Sequence, residues 1–142
     1  MLTVPSACEV WARLGEERVR AYMRALSDEA RSLLQHRWGL DGGAPENNVG
    51  CVNGDESMRA GCMTLVPLPS GLFVGGTLRA YTSDHAAAVQ DYLHHEHRIE
   101  VPAKCVDGRL YLRISAAVHN CLEDYEHLGE SILSLQRSPL EM

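Results

Sequence analysis

A chain of 142 residues can bury one hydrophobic core without disulfide or metal staples, and it is short for two full domains. Hydrophobic residues make up 45% and charged residues 23%, which argues against disorder, and a formal charge of −6 argues against sequence-blind binding to a phosphate backbone. No run approaches the ~20 apolar residues of a membrane helix. The start, Met1-Leu2-Thr3-Val4-Pro5, has no basic stretch of the kind that opens a signal peptide. The expectation is a cytoplasmic protein with no nucleic-acid or membrane partner. Cys8, Cys51, Cys62, Cys105 and Cys121 are odd in number and contain no CxxC pair, so they read as free, mostly buried thiols in a reducing compartment.

Pro5 suits a first helical position, and a helical run follows until Gly15 interrupts it. From Glu16 onward Val19, Tyr22, Met23, Leu26, Ala30, Leu33, Leu34 and Trp38 recur at spacings of three and four, one apolar stripe of a long helix. Glu16 and Glu17 occupy its first turn, and Gly39 is placed to end it. At 1.5 Å per residue such a helix runs to roughly 35 Å, long enough to act as a spine between two bodies with incomplete coverage of its stripe. Residues 40–61 are rich in Gly, Asn, Asp and Pro without apolar period and read as a loop or linker.

A short strand is expected over 62–68, closed by Pro67 and Pro69. Residues 70–81 are ambiguous. Their Gly71-Leu72-Phe73-Val74-Gly75-Gly76 lacks the Gly-Lys-Ser/Thr ending of a phosphate loop and the glycine spacing of a dinucleotide fold, so no nucleotide site is assigned. Ser83 or Asp84 can cap the next helix, whose Ala86, Val89, Tyr92 and Leu93 share a face.

Residues 98–115 read as a hairpin. Ile99, Val101, Ala103 and Cys105 alternate with polar positions, and Asp107-Gly108 supplies a two-residue type I′ turn. Pairing outward sets Cys105 opposite Leu110, Ala103 opposite Leu112 and Val101 opposite Ile114. The other face carries Lys104 with Tyr111 and Pro102 with Arg113, and solvent is expected there. The last helix has Asn120 as N-cap and Glu123 three residues on, with the stripe Leu122, Tyr125, Leu128, Ile132 and Leu135. The fold class is therefore α+β: a two-layer small domain, helices on a small, mostly antiparallel sheet, preceded by a long N-terminal helix. The expected divisions are a helical spine over 1–39, a linker over 40–61 and the small α+β domain over 62–142.

Chemistry is sparse. His94, His95 and His97 cluster with Glu96, but adjacent histidines point apart on a helix, so a solvated helix end is preferred to a metal site. No metal ligands and no catalytic residues are assigned. Glu123 and Asp124 sit where helix N-termini collect acids. Arg113 is a cation on the non-core face of a rigid hairpin, where it can grip a carboxylate at two points or form an ion pair with Glu100, diagonal to it.

At Arg98-Ile99-Glu100-Val101-Pro102, Leu112-Arg113-Ile114-Ser115-Ala116-Ala117-Val118-His119-Asn120 and Glu123-Asp124-Tyr125, the chain resembles the C-terminal small domain of class V aminotransferase-type pyridoxal-phosphate enzymes of fold type I, close to isopenicillin N epimerase-like and cysteine desulfurase-like proteins. Leu2-Thr3-Val4-Pro5-Ser6-Ala7 resembles the helix start after that family's Gly-Thr-Arg-Asp loop, and Met63-Thr64-Leu65-Val66-Pro67-Leu68-Pro69 resembles its first small-domain strand. His119 stands where a Tyr is usual and Cys121 where Thr is frequent. The resemblance implies that Arg113 binds the α-carboxylate of an amino-acid substrate. It also implies pyridoxal phosphate held as a Schiff base to a lysine in a preceding large domain. Lys104 is the only lysine and matches no such position. The expectation is a C-terminal domain or truncated product that is inactive alone, with no cofactor-binding residue of its own, completed by a large catalytic domain or a homodimer partner. The alternative is a stand-alone module that binds a small carboxylate or a protein without catalysis.

Overall fold

Strand β3 (Arg109–Ser115) is the middle strand of a three-stranded antiparallel sheet, flanked by β1 (Met63–Pro67) and β2 (Ala103–Val106). The computed structural model describes residues 4–40, 61–75 and 80–141. Around the sheet are α1 (Val4–Leu14), α2 (Glu16–Arg37), α3 (Ser83–His97) and α4 (Leu122–Arg137). The architecture is α+β with a long N-terminal helix and helices packed on a small antiparallel sheet. The turn-rich residues 41–60 lie outside the described residues.

The hairpin forms as its turn chemistry dictates. Asp107 and Gly108 both adopt positive φ, 48° and 72°, as a type I′ turn requires. Ala103 faces Leu112, Lys104 faces Tyr111 and Cys105 faces Leu110. The ladder ends at Ala103, so Val101 and Ile114 are not strand partners, although both enter the same core. The Arg113 N–H donates to the Pro102 carbonyl at 2.9 Å and carries the alignment one residue further.

On the other side, Thr64 pairs with Ile114 and Val66 with Leu112, and all four are buried. This second edge corrects the expected solvent face. Tyr111 is only 1% exposed, whereas its partner Lys104 is exposed. Tyr111 stands on the central strand, in register with Pro67 on one side and Lys104 on the other.

The helices close the apolar face. Leu26, Ala30 and Leu34 of α2, Ala86, Val89 and Leu93 of α3, and Tyr125, Leu128, Ile132 and Leu135 of α4 join one core with Val66, Leu110, Leu112 and Ile114. Gly15 (φ 82°) separates α1 from α2. Gly39 (φ 68°) ends α2 in a Schellman arrangement: its N–H donates to His36 O, and Leu40 N–H donates to Gln35 O. Trp38 is buried, and its indole N–H donates to Gly129 O at 3.3 Å. The stripe is not wholly covered, since Tyr22 is 44% exposed. Val4, Val10, Trp11 and Leu14 of α1 are exposed as well.

Two further local expectations change, and part of the ambiguous segment gains a place. The cap of α3 is Thr82 rather than Ser83 or Asp84, and His85 Nδ1 accepts from the Thr82 N–H at 3.1 Å. The glycine-rich segment closes the molecule: Phe73 bridges to Leu140, with Val74 N–H donating to Leu140 O and Leu140 N–H to Leu72 O. Among the described cysteines, Cys8 and Cys121 are exposed and Cys62 and Cys105 are half-buried, so these thiols are free but less buried than expected.

Two of the positive-φ glycines separate backbone strain from steric clash. A Cβ on Gly108 would lie 3.0 Å from the Ala80 Cβ, whereas one on Gly39 meets nothing within 4 Å. Gly39→Ala is expected to cost about 1 kcal/mol, the left-handed penalty alone. Gly108→Ala is expected to cost about 2–3 kcal/mol because the turn must also shift against residue 80. Urea midpoints of the two variants check this, and equal losses would mean the Ala80 contact contributes nothing.

Candidate carboxylate site

Arg113 projects from the central strand, between Pro102 on the β2 side and Leu65 on the β1 side. Its backbone is hydrogen-bonded to Pro102 on one side and β1 is paired along the other, so its Cα is fixed by the sheet. Its side chain is exposed and lines an open cleft of about 340 Å³. The cleft is walled by residues 99–102, the end of β3, the turn that follows it, and the first two turns of α4.

That turn is locally determined. Asn120 Oδ1 accepts from the Ala117 N–H at 3.1 Å, which uses the side chain that sequence spacing assigns to the helix cap. The N-cap is instead Cys121, in extended conformation, and Asp124 is the residue three positions on. Asp124 Oδ2 accepts from the Cys121 N–H and from Asn120 Nδ2, both at 3.1 Å. Hydrogen bonds from Asn120 and from the Cys121 backbone hold the Asp124 carboxyl below the usual carboxylate range. Glu123, expected to complete the cap, is also lowered, first by its backbone hydrogen bond and then by the Cys121 thiol. The thiol in turn is pushed up by its hydrogen bond with Glu123.

The floor of the cleft is Tyr125. Its hydroxyl donates to Ser115 O at 2.8 Å, tying α4 to the end of β3. Sequence periodicity marks Tyr125 only as a core residue, and nothing local signals its hydroxyl's partner. Tyr22 reaches the same turn from α2, donating to Asn120 O at 2.6 Å.

Glu100 does not pair with Arg113. It is taken by His94, whose Nδ1 lies 2.5 Å from Glu100 Oε1. Among the described residues, no ion pair or side-chain hydrogen bond occupies the Arg113 guanidinium. The neighbouring histidines do structural work: His95 Nδ1 contacts Asp91 O at 2.9 Å, and His97 Nε2 contacts the Tyr92 hydroxyl at 3.0 Å. Among the described residues no three His, Cys, Asp or Glu side chains converge as metal ligands. No helix of the described residues is long and apolar enough to cross a membrane.

Fold and cleft together define a small α+β domain whose sheet presents the Arg113 guanidinium to the cleft without an ion-pair partner among the described residues. No protein-family model matches the chain. The chain is similar to an L-cysteine desulfhydrase of Arabidopsis thaliana, 30% identical over 157 aligned positions that take in 98% of this chain and 31% of the plant protein. It thus spans less than a third of the length of that relative.

The Tyr125 environment gives a pH prediction. Burial pushes its phenol from 10.0 up to about 12. A group whose pKa is raised on folding stabilises the fold fully below the unfolded value, and that contribution is lost as pH rises through the folded value. Stability is therefore expected to fall between pH 10 and about 12. Tyr125→Phe should lose about 1 kcal/mol at neutral pH from the missing hydrogen bond and flatten part of the alkaline decline. Chemical denaturation at several alkaline pH values checks both, and an unchanged slope in the variant would assign the decline to other tyrosines.

Proposed function

We propose that this chain is the C-terminal small domain of a cytoplasmic pyridoxal-phosphate-dependent enzyme of the class V aminotransferase type, akin to isopenicillin N epimerase and the cysteine desulfurases, in which Arg113 clamps the α-carboxylate of an amino-acid substrate. One observation carries this reading: a guanidinium left unpaired on the central strand of the sheet, at the edge of a cleft large enough for a small amino acid. The similarity to a desulfhydrase supports it. A planar guanidinium can hold a carboxylate through two parallel N–H···O bonds, which fixes the ligand's direction as well as its charge.

The described residues do not fit the cofactor itself. A lysine that reacts with an aldehyde near neutral pH needs a desolvated surrounding, and Lys104 stands exposed on β2. In this reading the cofactor belongs to a large catalytic domain or a homodimer partner, the chain alone does not turn over substrate, and residues 1–39 are the spine that leads to the small domain over 62–142.

A second reading, a stand-alone carboxylate-binding module, is favoured by one feature. Every residue lining the cleft falls within the contiguous run 99–128, so a ligand could be held without any other domain.

The test has two arms. Chemical shifts of the chain titrated with L-cysteine should move around Arg113 and Tyr125, and its decarboxylated analogue cysteamine should not move them. Arg113→Gln should weaken the effect by about 10- to 100-fold, the worth of a charged hydrogen-bonded pair. A chimera of the plant desulfhydrase carrying this chain in the matching third should turn over L-cysteine, and Arg113→Gln should lower its kcat/KM by a similar factor. Shifts without turnover in a folded chimera would favour the module. After mixing with pyridoxal phosphate and desalting, the isolated chain should show no visible band that Lys104→Ala removes; such a band would overturn the placement of the cofactor elsewhere.

A further inference from the structure

The Arg113 cleft contains two carboxylates besides its cation. Glu100 and Asp124 both line it, and each is already held by a neighbour in the chain. His94 on the last turn of α3 takes Glu100, and the cap of α4 takes Asp124. A ligand that places one carboxylate on Arg113 therefore meets two further carboxylates on the same lining. His119 and the Tyr125 phenol are the other titratable groups on the lining, and His95 and Arg98 flank His94 on its own segment.

We infer that Glu100, positioned by His94, is a specificity-determining residue that restricts the cleft to ligands with a single carboxylate. This rests on the reading of Arg113 as a carboxylate clamp. The logic is electrostatic. A free Glu100 could turn toward Arg113 and compete with the ligand, since both line the same cleft. Held by His94, it leaves the guanidinium open and turns its own charge against a second acidic group. His94 touches no ligand and acts only through Glu100. Because the Glu100 side chain is 75% exposed, each effect is screened by water and salt.

The experiment compares L-asparagine with L-aspartate, which match in shape and differ by one charge, using chemical-shift titration of the full chain. At ~20 mM salt the wild type should bind asparagine about three- to tenfold more tightly, and ~0.5 M salt should erase most of that ratio. Glu100→Gln should shrink the ratio by about two- to fivefold through tighter aspartate binding. His94→Gln should weaken asparagine by about two- to fivefold by releasing Glu100 onto Arg113, and the double variant H94Q/E100Q should restore it. A ratio unchanged in Glu100→Gln, or a loss in His94→Gln that the double variant does not relieve, overturns the filter while leaving Arg113 as the clamp. Asparagine binding that survives Arg113→Gln overturns the clamp itself, and a wild type that shows no saturable shift overturns both.

Discussion

Two-sided pairing of β3 is the constraint on which the rest of the molecule depends. Its inward residues Leu110, Leu112 and Ile114 are the surface on which α2, α3 and α4 meet, so the helices take their places from the sheet. The same pairing fixes Arg113 on the opposite face. A side chain on an edge strand or a loop would carry the same charge with less defined direction, whereas one between two hydrogen-bonded neighbours inherits the sheet's rigidity. The core side chains of β3 and Arg113 thus stand on two faces of one strand, and a register slip of one residue would exchange them.

Polar residues around the cleft are organised so that Arg113 is the charge left over. Asp124 is spent on capping α4, Glu100 is held by His94, Asn120 closes the turn, and the Tyr125 hydroxyl anchors that helix to Ser115. Each of these contacts is worth little by itself on an open surface. Together they determine which groups compete for an incoming anion. The open shape of the cleft fits a site completed by another surface, and the exposed Val4, Val10, Trp11 and Leu14 lie on the helix at the opposite end of α2 from Trp38.

Much of the fold was legible in the sequence because its signals are local. The break at Gly15, the end of α2 at Gly39, the turn at Asp107-Gly108 and the pairs Cys105–Leu110 and Ala103–Leu112 follow from backbone preference and from periods of 3.6 and 2. Arg113 itself was legible as an outward cation in an alternating strand. Where the structure differed locally, the pattern allowed two solutions. Asn120 with Glu123 and Cys121 with Asp124 both satisfy the spacing of a capping box, and the choice fell to the second pair because the 116–120 turn already used the Asn120 side chain.

What only the tertiary structure decided involves partners distant in the chain or drawn from competing neighbours. Nothing in the period of residues 62–68 says that this strand flanks β3, so the burial of Tyr111 was invisible from the hairpin alone. Nothing in the glycine-rich stretch after Pro69 announces that Phe73 will pair with Leu140. The contest for Glu100 is the instructive case. Sequence register offered Arg113 across the strands, and the fold awarded it to His94 because the end of α3 turns back beside residue 100 before the hairpin begins. Local chemistry determined which residues could bear charge and where the chain would turn; long-range packing determined which charges met in the cleft, and so left Arg113 without a partner among the described residues.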